Sequence, residues 1–173
     1  MTTSSTDPGA SRAAAATNCV PGELLADPLF LLVRVGFAIK SRAVDEFERT
    51  GFSPYHHSVL ALLDEGARDT QAAIADALQL DRGTLVGLLD GLEEHGLVER
   101  HRDPSDRRRH VVSLTPAGRR QLAEFRTVVA SLDEEFLAPL SEEDRTTLLA
   151  LLSQIAAHYD PRFIRDREVV RSG

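Results

Sequence analysis

The 173-residue chain contains one cysteine, one methionine and no tryptophan, and aromatic residues make up only 5% of it. The single cysteine, Cys19, cannot form a disulfide within the chain, which excludes a disulfide-stapled scaffold. No apolar run approaches the roughly 18 residues that a membrane-spanning helix needs. The N-terminus also lacks the charged-then-apolar layout of a secretory signal. These absences predict a cytoplasmic protein, and a hydrophobic content of 42% is enough for a buried core.

Charge is distributed unevenly along the chain, although a net charge of −7 argues against a wholly basic nucleic-acid binder. Between positions 97 and 121, seven arginines stand against three acidic residues, so this stretch carries about +4 and the remainder about −11. Because salt screens charges beyond about 10 Å, a basic patch on an acidic body still attracts phosphates. The alternative is a solvated run of charges that binds nothing.

The two ends of the chain differ from its middle. Residues 1–22, rich in Ala, Ser and Thr, are predicted to form a disordered arm, and residues 161–173 a C-terminal tail. A helix is predicted from Leu24 to Arg49, broken near Pro28, because apolar residues recur at helical spacing. These residues are Phe30, Val33, Phe37, Val44 and Phe47.

Residues 53–115 show the pattern of a winged helix-turn-helix. Two short amphipathic helices, joined by a tight link at Gln79-Leu80, predict the helix-turn-helix itself. Two strands, Leu97–Arg102 and His110–Leu114, are predicted to form a β-hairpin wing with a cationic tip, DPSDRRR. The predicted helix starts and stops are Ser53-Pro54, Gly66, Thr70, Asp81 and Gly96.

Two further helices follow the hairpin, opened by Thr115-Pro116 and by Ser141. The first has apolar residues at spacings of three and four, typical of a seam between packed helices. No further domain remains for these helices to pack on, so residues 23–52 and 116–160 are predicted to form a helical dimerisation region. The residues assigned to the dimer interface are Leu122, Phe125, Val129, Leu132, Leu152 and Ile155.

The segment DRGTLVGLLDGLEEHGLVERHRDPSDRRRHVVSLTPAGR, residues 81–119, resembles the recognition helix, wing and following helix of the MarR family. The DPSDRR loop and the LTPAG turn are its specific motifs, and a looser similarity extends from Leu29 to Tyr159. The resemblance implies a mainly α fold with a small β-hairpin wing and a helical dimerisation region. It also implies a homodimeric transcriptional regulator, usually a repressor, that binds a palindromic operator in double-stranded DNA and needs no cofactor.

In the recognition helix, the face opposite the leucines is predicted to contact DNA. Arg82 suits a guanine or a phosphate, Thr84 a phosphate or a base edge, and Val86 a thymine methyl group. Gly83 and Gly87 permit close backbone approach, or else they merely accommodate helix packing.

Further DNA contacts are predicted in the wing and at the start of the helix-turn-helix. The resemblance implies that an arginine of the run Arg107–Arg109 enters the minor groove, oriented by Asp106; the arginine assigned is Arg107 or Arg108. Free N–H groups at Thr70 and Gln71 favour a phosphate, although Thr70 is equally interpretable as an ordinary N-cap.

The resemblance also implies that a small ligand, often aromatic or anionic, releases the DNA. The residues assigned to its site are Arg34, Phe37, His56, His57 and Leu60, because a cation beside imidazoles and apolar groups suits a carboxylate or phenolate. The alternative is structural: Arg34 pairs with an acidic residue and the histidines bond to local backbone.

Other functions have weaker support in the sequence. Metal sensing lacks HxxxH or CxxC spacing, and redox sensing would depend on Cys19, which has no nearby cation to stabilise a thiolate. An enzyme is not expected, because neither a phosphate-binding glycine loop nor a nucleophile elbow is present. A winged helix used only for protein contact would not need three consecutive arginines.

Overall fold

The computed structural model describes residues 20–66, 70–102, 110–160 and 162. It separates into two compact units, residues 1–41 and 42–173, and the boundary falls inside the second helix. The elements within the described residues are, in chain order, α1 (Gly22–Leu25), α2 (Pro28–Glu48), α3 (Pro54–Asp64), α4 (Gln71–Leu78), α5 (Arg82–Glu94), β1 (Val98–Arg102), β2 (His110–Leu114), α6 (Pro116–Leu137) and α7 (Glu142–Tyr159). The predicted fold class, mainly α with a small β-hairpin, is confirmed.

The described part of the first unit consists of α1 and the first two thirds of α2. The predicted break near Pro28 is confirmed, since α1 ends at Leu25 and α2 begins at the proline, whose missing N–H is not needed in a first turn. The N–H of Leu29 donates to Asp27 Oδ1 at 2.9 Å. Most large apolar side chains of this helical segment are exposed, namely Leu29, Leu31, Leu32, Val33, Val35, Phe37 and Ile39.

The second unit has one hydrophobic core, to which the end of α2, α3, both helices of the helix-turn-helix, both strands and α6 all contribute. The fully buried leucines of α5 fix one face of that helix on the core and leave the opposite face exposed. The largest side chains of the core are Phe47, Leu60, Ile74, Leu85, Leu89, Leu92, Leu122 and Phe125.

The predicted helix caps account for where the elements begin and end. Thr70 accepts a hydrogen bond from the N–H of Ala73 at 3.3 Å, and Ser141 Oγ accepts one from Asp144 at 3.2 Å. The tight link of the helix-turn-helix places Gln79 in the left-handed conformation, with φ at 53°. Gly96 follows α5 at a φ of 66°, as a C-terminal glycine should.

The hairpin pairs β1 with β2 in antiparallel register, from Val98 opposite Leu114 to Arg102 opposite His110. A single bridge from Thr70 to Val111 ties the start of α4 to the hairpin. The TPAG turn holds the other end of the hairpin. There the Thr115 hydroxyl donates to the Gly96 carbonyl at 2.8 Å, and Gly118 packs so closely on Leu97 that a Cβ would overlap its carbonyl oxygen.

Helix α6 packs inward, and α7 does not. The α6 residues Leu122 and Phe125, predicted for the dimer interface, are buried in the core of their own chain, so a partner cannot cover them. Leu132 is also buried, whereas Val129 is half-buried against the core. No residue of α7 is buried. Within the described ranges, no helix is both long and apolar enough to cross a membrane.

Candidate nucleic-acid interface

Helix α5 presents all five predicted DNA-contact residues, Arg82, Gly83, Thr84, Val86 and Gly87, on its exposed side. Its N-terminus is held by Asp81, which accepts from the Thr84 N–H at 2.9 Å and from the Thr84 hydroxyl at 2.5 Å. These two bonds, the hydroxyl bond foremost, lower the pKa of the Asp81 carboxyl. The Thr84 hydroxyl proton is therefore already engaged within the helix, which leaves Arg82 as the strong side-chain donor at this end.

The two glycines of the exposed face differ in their surroundings. A Cβ at Gly83 would lie 3.2 Å from Asp81 Oδ1, so the capping carboxylate limits the space there. At Gly87 a Cβ would meet no heavy atom within 4 Å among the residues that the structure describes. Intramolecular packing therefore does not explain glycine at position 87.

Arg100 links β1 to the C-terminal half of α5. Its Nε donates to Glu93 Oε2 at 2.8 Å and its Nη2 lies 2.6 Å from Asp90 Oδ1. The hydrogen bond that the Arg100 guanidinium donates to Glu93 is the main reason why the pKa of Arg100 is raised. Sequence reasoning counted Arg100 in the basic patch, but its charge is matched by two carboxylates. These two ion pairs instead fix the hairpin against α5.

The wing residues Asp106 and Arg107–Arg109, predicted to contact the minor groove, lie outside the described residues. Thr70 and Gln71 begin α4, where both are half-buried. Thr70 Oγ1 serves as the N-cap, as one of the two interpretations requires, and the phosphate contact stays a prediction.

A hydrogen-bond network fastens the helix-turn-helix link to the end of α7. Gln79 Nε2 donates to Asp160 Oδ2 at 2.6 Å, and Arg162 Nη1 donates to the Asp76 carbonyl at 2.6 Å. The Arg162 side chain, followed by its backbone N–H, lowers the pKa of Asp160 to about 2. Sequence reasoning missed this network, because Gln79 and Asp160 are 81 positions apart and no local pattern joins them.

Three of the predicted ligand residues lie in the second unit. His56 Nδ1 accepts the N–H of Ser53 at 2.9 Å, and burial followed by the charge of His95 lowers the pKa of His56. The His57 ring lies 6.0 Å from the ring of Phe47, and burial followed by Arg126 lowers the pKa of His57. Leu60 is fully buried in the core.

The other two, Arg34 and Phe37, lie on α2 in the first unit. Both are exposed, and Arg34 pairs with no carboxylate among the described residues. The grouping of Arg34 and Phe37 with the histidines into one ligand site stays a prediction.

A cleft of 390 Å³ lies between the C-terminal part of α2 and α6. Arg42 lines it, with its Nε 3.1 Å from Glu135 Oε1 and its guanidinium also paired with Glu46. Glu124 adds a third carboxylate, so this cleft does not favour an anion. Among the described residues, those of the cleft included, no cluster of histidine, cysteine and carboxylate groups could hold a metal ion.

Comparisons with known proteins agree on one family. Residues 50–109 match a sequence model described as MarR family. A Thauera aromatica protein named as a transcriptional regulator of the hcr operon is 35% identical over 118 residues, 65% of this chain and 71% of the other.

Two solved structures of the repressor CouR are also similar. The complex with a 23-mer DNA duplex has a TM-score of 0.72 at 34% identity, covering 80% of this chain and 99% of CouR. The complex of CouR from Rhodococcus jostii RHA1 with p-coumaroyl-CoA has a TM-score of 0.68 at 31% identity. It covers 84% of this chain and all of CouR (100%).

Proposed function

Because the chain belongs to the MarR family of transcriptional regulators, we propose that it represses transcription by binding a palindromic operator as a homodimer. A small anionic aromatic ligand releases it from the DNA. Like the relatives named above, the chain is a transcriptional regulator and not an enzyme. The observation that carries the DNA-binding proposal is the exposed face of α5, which the buried leucines on the opposite side hold in place.

Two features of the second unit support insertion of α5 into the major groove. The five candidate contact residues lie in the N-terminal half of the helix, the part that contacts base edges in helix-turn-helix proteins. In its C-terminal half, Asp90 and Glu93 are both paired with Arg100, whose positive charge lowers their repulsion of phosphates. The likeness to DNA-bound CouR gives independent support.

The wing arginines supply sequence-independent affinity in this proposal. Strand β1 ends at Arg102 and β2 begins at His110. In the sequence, Arg107–Arg109 therefore belong to the connection between the two strands. Each phosphate-neutralising cation contributes to the salt dependence of binding, because counterions leave the DNA when it binds.

A homodimer would cover apolar side chains that are exposed in the single chain. On α7 these are Leu149, Leu151, Leu152, Ile155 and Tyr159. The exposed apolar residues of α2 are a second such surface. Contiguous exposed apolar patches mark interfaces, and a two-fold dimer places its two recognition helices on half-sites about one helical turn apart.

The experiment that tests DNA binding begins with selection from a randomised duplex of about 24 base pairs, long enough for two half-sites. An enriched palindrome is expected. Replacing Arg107 and Arg108 with alanine should weaken binding to selected and random duplexes alike, and flatten the salt dependence by about one charge per arginine. Arg49→Ala is the matched control, since Arg49 is exposed and lies before the winged domain. An unchanged salt dependence in the double variant would contradict the wing assignment.

The ligand class is proposed from the predicted cation Arg34 and from CouR, whose complex contains an aromatic acyl-CoA. Titration of the protein–DNA complex with p-coumaroyl-CoA, and separately with p-coumarate, should weaken DNA binding by about 5- to 150-fold for an effective ligand. Arg34→Ala should remove that response and leave ligand-free DNA affinity intact, whereas Lys40→Ala on the same helix should keep it. Full release in Arg34→Ala would exclude Arg34 from the site.

A further inference from the structure

We propose that this chain reads its operator largely through apolar contact, with Val86 packing on thymine 5-methyl groups where Gly87 lets the helix backbone approach the bases. The inference rests on the proposed function, since it needs α5 in the major groove. Only the major groove displays the thymine methyl, so such contact distinguishes A·T from T·A pairs.

Few polar side chains on the exposed face of α5 are free to bond with base edges. The Thr84 hydroxyl donates to Asp81, and Asp90 is held by Arg100 2.6 Å away. Arg82 makes no ion pair within the part of the chain that the structure covers, so it remains as a donor. Direct readout by hydrogen bonds therefore has one strong candidate at this end of the helix.

Val86 is 42% exposed, although the α5 leucines at positions 85, 89 and 92 are at most 1% exposed. A single exposed valine is common on protein surfaces and is by itself weak support. The position of Val86 gives stronger support for a DNA contact. It lies one turn after Arg82, on the same side of the helix, and next to Gly87.

Among the residues that the structure describes, no neighbour accounts for the glycine at position 87. Gly118 is required because a Cβ would lie 2.7 Å from Leu114 Cδ1, and a Cβ at Gly91 would lie 3.7 Å from His56 Nε2. A Cβ at Gly87 would enter open space. Glycine is a poor helix former, so its presence there points to a surface outside the chain that approaches the backbone closely.

The methyl contact is tested on the duplex recovered by selection from the randomised library. Each thymine is replaced in turn by uracil, which removes the methyl group and leaves the base pairing intact. At one or two positions per half-site the affinity should fall about four-fold, the effect of one buried methyl group. In Val86→Ala these substitutions should have no further effect, and in Val86→Ile the penalty should return.

The backbone approach is tested with two glycine variants in the same helix. Gly87→Ala and Gly91→Ala should both keep or raise the melting temperature, because alanine favours helix and neither Cβ meets a close neighbour. Only Gly87→Ala should weaken binding to the selected duplex, by at least about five-fold. This separation of stability from affinity would not arise from a purely structural glycine.

The possible failures are distinguishable. If selection recovers no duplex, the proposed function is wrong and the inference falls with it. If a duplex is bound but uracil is tolerated at every position and Gly87→Ala binds normally, only the inference is overturned.

Discussion

Helices α6 and α7 follow one another in the chain and share an apolar stripe at helical spacing, yet their surroundings differ. In α6, Leu122 and Phe125 are buried in the core of the winged domain. In α7, Leu149, Leu151 and Ile155 are each more than half exposed. Periodicity alone therefore identifies an amphipathic helix without saying which molecule covers its apolar side. Helix α6 stabilises the chain itself, and the exposed apolar side of α7 is the surface that we propose for a partner.

The largest effect is expected from Phe125→Ala in α6, which should lower the free energy of unfolding by about 3–5 kcal/mol because it leaves a cavity in the core. Leu149→Ala in α7 is the control, since Leu149 is 59% exposed in the single chain. Urea denaturation of both variants, each also carrying Ile155→Asp to weaken dimerisation, measures the difference. Equal losses of unfolding free energy in the two variants would contradict the burial of α6 and the exposure of α7.

The next effect concerns the dimer. Ile155→Asp places an unpaired charge on the apolar side of α7 and should destabilise association by about 2 kcal/mol or more, roughly a thirty-fold weaker dimer. Ser153→Asp, on the opposite side of the same helix, should dimerise normally. Sedimentation equilibrium reports the dissociation constants, and circular dichroism confirms that both variants fold. A dimer that tolerates aspartate at position 155 would assign the interface elsewhere.

A smaller loss is expected from Gly118→Ala at the start of α6. The added Cβ would overlap the Leu97 carbonyl and should destabilise the fold by about 1–3 kcal/mol, the usual range for overpacking. Gly36→Ala in α2, where a Cβ meets nothing within 4 Å among the described residues, should instead be neutral or slightly stabilising. Thermal denaturation compares the two. A stable Gly118→Ala variant would contradict the close contact between the TPAG turn and the wing.

The smallest effect is a pH dependence carried by His57, which packs on Phe125 of α6. Burial, followed by Arg126, lowers the pKa of His57, so protonation favours the unfolded chain. The corresponding stability is present above the ordinary histidine pKa of about 6.5 and is lost as the pH falls through the lower folded value. His57→Gln should reduce the decline in stability between pH 7 and 5, whereas His158→Gln, at an exposed position of α7, should not. Identical pH profiles for the two variants would contradict burial as the cause.

Local patterns were sufficient to predict the elements, and contacts between distant residues were not predictable from them. Ser53-Pro54, Thr70, Asp81 and Thr115-Pro116 each marked a helix start correctly, because a cap acts on residues within one turn. The predicted dimer interface mixed α6 with α7, because a spacing of three and four is the same for an intramolecular and an intermolecular seam.

Side-chain pairing across the fold was the other part that sequence could not supply. The sequence suggested that Arg100 is a free cation, but in the structure it pairs with Asp90 and Glu93, which precede it by ten and seven positions. Gln79 and Asp160 meet only because α7 ends near the helix-turn-helix link. In contrast, the exposed positions of α5 followed directly from its leucine spacing, since a helix with one buried face must expose the other.

Whether two chains read one palindrome is decided by the stoichiometry of the complex with the selected duplex. Sedimentation of the wild-type protein with that duplex should give two chains per duplex, and Ile155→Asp should bind it much more weakly while remaining folded. One chain per duplex at full affinity, in the wild type and in Ile155→Asp alike, would contradict a dimer built on α7 that reads a palindrome.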